Sequence, residues 1–303
     1  MRIGFIGTGT MGAPMARNIA RGGHEVTAFD LNTEAVMALS DSGIAAATNA
    51  WDAARQKDLV ISMLPNSSHV EELLFGAQGI ADVLDPAGLY VDMSTIAPSV
   101  SKTLAARLTQ KGLSMVDAPV GRQQQHAVEG KLLIMVGGSE VDVTRCKPVL
   151  ELMGDTIIHC GPCGAGAAMK IVNNFMSITI NLASAEALVL AEKAGLDPEL
   201  ARQVMLGTVA GQGHFATTYP AKVLKGDLNP GFMIDLARKD LGLAVEYASE
   251  IGAPLDSGRL AMRRYDDARD AGRGPQDWSA IYDYLRSEDQ ATRGSQFESL
   301  AGE

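Results

Sequence analysis

The chain opens on a short apolar run, Ile3-Gly4-Phe5-Ile6, that passes directly into Gly7-Thr8-Gly9-Thr10-Met11-Gly12 and an amphipathic stretch over 11–21. A G-x-G-x-x-G set between a strand and a helix restricts a fold severely. The first glycine permits the tight turn, the second lets a pyrophosphate approach the backbone, and the third allows helix and strand to pack closely. The helix N-terminus then holds the phosphates. Glycine-rich turns also serve packing alone, so the following strand matters. It ends at Asp30, eighteen residues past Gly12, where a carboxylate can accept hydrogen bonds from ribose hydroxyls. Strand, glycines, helix, strand and acid coincide, and dinucleotide binding is the expectation. Asp30 would repel a 2′-phosphate, and Leu31 stands where an arginine could have read one. NAD is therefore expected, with NADH preferred over NADPH.

Apolar runs at 3–6, 26–29, 59–63, 89–91, 115–116 and 132–136 alternate with helix-like stretches at 11–21, 33–42 and after Pro98. This is the β-α-β rhythm of a parallel sheet, and Pro98 suits a first helical position. Beyond about residue 165 the strand signals stop, and 165–194, 197–206, 235–251 and 256–271 are compatible with helices. The reading predicts a doubly wound α/β domain of mostly parallel sheet over 1–163 and an all-helical domain over 164–290. A long helix joins them, apolar on most sides and so expected to be buried against more than one neighbour. The polar, small-residue stretch over 291–303 is expected to be a loosely ordered tail.

Two domains fit 303 residues. A formal net charge of −10 argues against a nucleic-acid partner, which needs a basic surface. No uninterrupted apolar run approaches the roughly 20 residues of a bilayer span, so neither membrane helix nor signal peptide is expected, and the location is expected to be cytoplasmic. Three cysteines cannot build a disulfide framework, and five histidines show no metal-ligand spacing, so no metal is expected.

Within the long helix, Lys170, Asn173, Asn174 and Ser177 fall in an arc of roughly 100° at about 100° per residue. Burying such groups unpaired would cost about 1–3 kcal/mol each. A ligand cleft would pair them, and so would a polar seam between helices. Cys160-Gly161-Pro162-Cys163 spells a redox motif, yet a glycine-rich stretch separates it from the next helix, which favours incidental or packing cysteines. His214 and Phe215 suit a loop facing a cleft or an aromatic plug at a helix end. Charges at 263–270 suit a solvated face, and Met37, Met63, Met153, Met169 and Met205 suit core filling.

Six motifs in order, namely the glycine turn with Met11, Met63-Leu64-Pro65, Asp92-Met93-Ser94-Thr95, Asp117-Ala118-Pro119-Val120, Gly164-x-Gly166-x-x-x-Lys170-x-x-Asn173-Asn174 and Arg238-Lys239-Asp240-Leu241, resemble the 3-hydroxyacid dehydrogenases. The likeness extends to Asp277-Trp278-Ser279-Ala280. It implies a Rossmann domain joined by a long helix to an all-helical domain, and a homodimer or homotetramer. It implies Lys170 as general acid and base, with Asn174 orienting lysine and substrate. Gly7, Gly9, Thr10, Met11, Gly12, Asp30, Leu64, Pro65, Thr95 and Lys239 would line the cofactor. Lys170 separates the chain from non-catalytic relatives that have lost the lysine and from a branch that reduces imines.

One departure from the family pattern is informative. Where most members continue Asp-x-Pro-Val into Ser-Gly-Gly to hold a carboxylate, this chain reads Gly121-Arg122-Gln123-Gln124-Gln125. A guanidinium fork suits the third oxygen of a sulfonate. Together with Gly211-Gln212-Gly213-His214-Phe215 and the segments around Phe232 and Trp278, it resembles the branch that reduces 3-sulfolactaldehyde, an aldehyde from sulfoquinovose degradation, with NADH. That resemblance implies Ser94, Gly121, Arg122, Asn173, Asn174, Ser177 and Phe232 as contacts of a small anionic aldehyde. A carboxylate semialdehyde remains the alternative substrate, and a dinucleotide-binding scaffold the alternative of another class.

Overall fold

In the computed structural model the described residues are 1–214 and 218–287, excepting the side chains at 181, 182, 236, 239, 240, 243, 244, 246, 247 and 250. The expected tail over 291–303 lies outside them. The chain falls into two compact units, Met1–Met176 and Ser177–Glu303, divided within the long helix.

The first unit holds nine strands: β1 (Arg2–Ile6), β2 (Glu25–Phe29), β3 (Ala45–Ala46), β4 (Leu59–Ser62), β5 (Leu89–Asp92), β6 (Ser114–Asp117), β7 (Val120–Gly121), β8 (Leu132–Gly137) and β9 (Gly154–Gly161). Their order is β3-β2-β1-β4-β5-β6-β8-β7, with β9 paired to β8. All pairs from β3 to β6 are parallel, whereas β8 runs antiparallel to β6 and β7 and parallel to β9. Helices α1 (Gly12–Arg21), α2 (Thr33–Met37), α3 (Ala50–Ala54), α4 (Ser67–Phe75), α5 (Pro98–Gln110), α6 (Gln124–Glu129) and α7 (Glu140–Leu150) make the connections.

The strands read as continuous apolar runs because both sheet faces are covered. Ile3, Phe5, Leu59, Ile61, Leu89, Val91 and Val116 pack with Met15, Ile19 and Val149 on one face. Ile6, Val60, Tyr90 and Met115, at the alternate positions, pack with Val70, Leu74, Leu104 and Leu108 on the other. Each large side chain removed from water contributes about 1.5–3 kcal/mol. Asparagine caps at Asn32, Asn49 and Asn66 start α2, α3 and α4, and Pro98 stands in the first turn of α5.

All six expected strands are present, while β3, β7 and β9 were not foreseen. The first two have only two residues each, and β9 offers one apolar pair, Ile157-Ile158, amid polar neighbours. The expected helix over 33–42 breaks into α2 and a 3-10 turn at Ser40–Ser42, which Gly43 ends at φ +73°.

The long helix α8 (Ala165–Lys193) leads into α9 (Pro198–Leu206), α10 (Val209–Gln212), α11 (Thr218–Ala221), α12 (Ile234–Glu250) and α13 (Asp256–Ala268). Glu186 of α8, buried, accepts the Ser257 N–H at the start of α13, supplying the N-terminal acceptor that Leu255 cannot. The burial expected for the apolar sides of α8 is not made within the described chain: Val172, Phe175 and Ile178 are 63%, 70% and 70% exposed. By length and composition alone, α8 is long and apolar enough to cross a bilayer. Its intercalated Lys170, Asn173, Asn174 and Ser177 are groups that hydrocarbon penalises and that a ligand or partner would pair.

Candidate active site

Because β2 and β4 flank β1 on opposite sides, the connections leaving β1 and β4 part in opposite directions and open a crevice at the carboxyl ends of the strands. Asp30, Asp92 and Asp117 follow or end β2, β5 and β6 at that edge, beside the glycine turn after β1.

Gly7 holds φ +96°, and a Cβ there would stand 2.3 Å from the Met63 carbonyl oxygen. A Cβ on Gly12 would stand 1.9 Å from the Gly7 carbonyl oxygen, so helix and turn touch directly. Gly9 differs, for a Cβ there would meet nothing within 4 Å. The protein itself does not require that glycine, but a pyrophosphate drawn against the backbone would. Met11, ahead of α1, makes no side-chain cap, in contrast to the asparagine-capped helices α2 to α4. The turn thus offers helix-terminal N–H groups to an anion, and the residues present fit a dinucleotide. Thr10 is exposed beside them.

Asp30 is held at both oxygens: Oδ2 accepts the Thr8 N–H at 2.6 Å and Oδ1 the Asn32 N–H at 2.9 Å. Leu31 is 89% exposed, and the positions beside Asp30 supply no guanidinium.

Behind the cofactor edge, Ser94 Oγ accepts the Leu64 N–H at 2.8 Å, tying the loop after β5 to the one after β4. Leu64 is half-buried, with Pro65 and Thr95 exposed beside it. Below, Asp92 Oδ1 accepts the Ser62 hydroxyl at 2.8 Å and the Ser94 N–H at 3.2 Å. Asp92 Oδ2 is buried without a hydrogen-bond partner among the described residues. Burial pushes this carboxyl up to about 6, against the opposing hydrogen bonds from Ser94 and Ser62 and with a further push from Asp117.

A folded-state value of about 6 over an ordinary 3.8 means that the native state binds the extra proton between those values. Stability from this group is therefore present at acid pH and lost as pH rises through about 6, by about 3 kcal/mol at 1.36 kcal/mol per unit. Guanidinium unfolding of the protein and its Asp92→Asn variant should show the wild type losing roughly that much relative to the variant between pH 4 and 7. Parallel stability profiles would mean that Asp92 does not titrate in this range.

Lys170 lies in the second turn of α8, half-buried, and desolvation lowers its ammonium pKa. It has no hydrogen-bond or ion-pair partner among the described residues, so its proton is free for a reacting oxygen. Asn174, half-buried, is four residues on and shares its face. Asn174 Oδ1 accepts the Asn173 side-chain N–H at 3.4 Å, and Asn173 and Ser177 are exposed.

Arg122 follows the buried Gly121 and takes φ +73°, a left-handed conformation costing a non-glycine residue about 1–3 kcal/mol. Nη1 donates to Asp155 Oδ1 at 2.6 Å and to the Lys131 carbonyl, and Nη2 donates to Thr156 Oγ1 at 3.2 Å. Thr156 Oγ1 also donates to that same Asp155 oxygen at 2.8 Å, which puts both partners on the Nη1/Nη2 edge. Nε–H and one Nη2–H, the other edge of the fork, keep no partner among the described residues. Nothing in the sequence marked Asp155 and Thr156, which lie 33 and 34 residues away and adjoin Arg122 only through the pairing of β7, β8 and β9.

In the second unit Phe232 packs edge-on against Trp278, ring centroids 5.7 Å apart, and His214 does the same at 4.9 Å. His214 thus belongs to an aromatic cluster, and Phe215 lies outside the described residues, as does the side chain of Lys239. The cysteines of the redox-like motif are free, and burial raises both thiols, Cys163 to about 12. Low thiolate content suits packing rather than redox exchange.

Residues 2–161 match the family model for the NAD binding domain of 6-phosphogluconate dehydrogenase, and residues 164–285 that for the NAD-binding of NADP-dependent 3-hydroxyisobutyrate dehydrogenase. The 3-sulfolactaldehyde reductase of Escherichia coli is 47% identical over 94% of this chain and 95% of its own length. The chain belongs to the 3-hydroxyacid dehydrogenase family. A 2-(hydroxymethyl)glutarate dehydrogenase of Eubacterium barkeri is 39% identical over 93% of each chain. The 3-hydroxyisobutyrate dehydrogenase of Mycobacterium tuberculosis, solved with L-serine, is 35% identical with a TM-score of 0.66, covering 94% of this chain and 99% of its own. An imine reductase of Myxococcus stipitatus superposes with a TM-score of 0.86 at 16% identity, a likeness of fold alone. As a 3-hydroxyacid dehydrogenase, the protein is an NAD(P)-dependent oxidoreductase acting on an aldehyde or alcohol.

Proposed function

We propose that this 3-hydroxyacid dehydrogenase reduces 3-sulfolactaldehyde to 2,3-dihydroxypropane-1-sulfonate with NADH. The reading rests on Arg122, a strained left-handed arginine with one edge of its guanidinium left open, standing where family members hold the substrate's acid group. Such an edge donates two parallel hydrogen bonds to an oxyanion. Gly121, Ser94, Asn173, Ser177 and Phe232 complete the substrate contacts in this reading. The 47% identity to a 3-sulfolactaldehyde reductase supports it.

Bound NADH supplies the hydride. Lys170, as an ammonium, stabilises the negative charge that develops on the aldehyde oxygen and gives that oxygen a proton, leaving a neutral amine that solvent reprotonates. Desolvation brings its pKa down toward the working range, which eases that transfer. Asn174, on the same helix face, orients the lysine and the substrate. Asp30 selects NADH by accepting from ribose hydroxyls and repelling a 2′-phosphate. A homodimer or homotetramer buries the apolar residues that α8 exposes.

The test is NADH oxidation by the purified protein with 3-sulfolactaldehyde and with succinic semialdehyde, NADPH serving as the control cofactor. The sulfonate should be preferred by at least about tenfold in kcat/KM, the worth of one well-placed charged hydrogen bond. Preference for the semialdehyde would make Arg122 a carboxylate clamp. No turnover with either would leave a dinucleotide-binding scaffold.

A further inference from the structure

We infer that Asp117, at the end of β6, is the positioning residue that sets where Lys170 stands, by holding the first turn of α8 in both oxygens of its carboxylate. The inference rests on Lys170 being the acid–base residue.

Asp117 Oδ1 accepts the Gly164 N–H at 2.6 Å and Oδ2 the Ala167 N–H at 2.6 Å. The carboxylate is 1% exposed, has no cationic partner among the described residues, and lies beside the equally buried Asp92 in register on β5. Two carboxylates side by side out of water oppose each other. Apart from Asp117's own N–H, the balancing donors come from one short segment, the entry to α8: the two N–H groups and the Cys163 thiol. Both short charge-assisted bonds therefore anchor the helix from its positive end.

The neighbouring backbone leaves the anchor no play. A Cβ on Gly137 would stand 2.4 Å from Asp117 Oδ1, and one on Gly166 2.4 Å from the Met135 carbonyl oxygen and 3.0 Å from Asp117 Oδ2. Strand β8, carboxylate and first helical turn are in direct contact, with glycine required on both sides. Lys170 follows Ala167 by three residues, so its Cα is about 4.5 Å further along the helix and about 60° round from the anchored residue. A shift or rotation of the first turn is passed to the ammonium almost undiminished, and a 1 Å misplacement can cost about a hundredfold in rate. Helix α7 takes its cap from the adjacent Ser139, and α13 takes its acceptor from the distant Glu186 through a single N–H. Here the acceptor arrives from a strand 47 and 50 residues earlier, at the strand end nearest the cofactor.

Asp117→Asn keeps the shape but turns an amide N–H toward one of the two donors. Turnover at saturating NADH and aldehyde should fall by at least about tenfold, with the Kd for NADH from fluorescence titration within about twofold. The primary isotope effect on kcat with 4-deuterated NADH should rise, because a misplaced acid slows the chemical step rather than product release. A role confined to stability would lower Tm and leave kcat and isotope effect per folded molecule unchanged, which would overturn the inference. If Asp117→Asn does not fold, Asp117→Glu, which keeps the charge and displaces it by one methylene, carries the same expectation and the same refutation. Lys170→Ala run alongside separates the two readings. Full turnover in that variant removes the acid–base assignment, whereas lost turnover there with unaltered Asp117 variants removes only the anchor.

Discussion

Lys170→Ala is expected to lower turnover by ~10²–10⁴-fold, the range for removing a positioned general acid, while NADH binds as before. The lysine sits in the second turn of α8, half-buried and unpaired among the described residues, so its loss breaks no hydrogen bond and leaves no orphaned partner. Truncation should for the same reason leave Tm nearly unchanged. Single-turnover measurements with pre-bound NADH would show the loss in the chemical step. In the proposed mechanism reduction needs the ammonium, and desolvation lowers its pKa; wild-type turnover should therefore decline at alkaline pH below the range where an ordinary lysine titrates. The residual activity of the alanine variant should lack that decline. A variant with near-normal turnover would remove Lys170 from the chemistry.

The second large effect concerns discrimination. Arg122→Gly should reduce kcat/KM for the sulfonated aldehyde by roughly tenfold to a hundredfold, and by several-fold less for a carboxylate semialdehyde, since the latter lacks the third oxygen. Stability should move the other way or stay level. Arginine at φ +73° is strained, and glycine relieves about 1–2 kcal/mol of that. The ion pair it gives up, with Asp155, is substantially exposed at both side chains and worth little. Activity lost while stability is kept marks a residue retained for its ligand. Equal losses for both substrates, accompanied by a fall in Tm, would make Arg122 a structural tie between β7 and β9.

The first half of the fold was legible because its physics is local. Ile3, Ile61 and Val91 belong to runs covered on both faces, and such runs announce themselves without partners. The glycine turn and Asp30 were readable because each residue answers a need stated by the adjacent element. Strand β9 was not, because Ile157 and Ile158 gain their place only by pairing with β8. Asp92 and Asp117 were visible as motif letters but not as buried carboxylates, since their partners, Ser62 and the entry to α8, lie 30 and 47 or more residues away. An acid closing an otherwise apolar strand was the available signal. The stripe on α8 was readable as a stripe, whereas the exposure of Phe175 and Ile178 beside it depends on packing that no periodicity reports.

The grip of Asp30 on Thr8 bears on how this enzyme could be re-engineered. On the proposed preference for NADH, a designer wishing to admit a phosphorylated cofactor would begin by deleting this acid. That acid is also the acceptor for the second residue of the glycine turn, at 2.6 Å, so a substitution to alanine or glycine would slacken the loop meant to clasp the diphosphate. Affinity for both cofactors would drop together, and a gain in ratio would be mistaken for a gain in fit. Serine or asparagine, able to keep an oxygen near Thr8, with a cation introduced at the exposed Leu31, is the pairing this architecture tolerates.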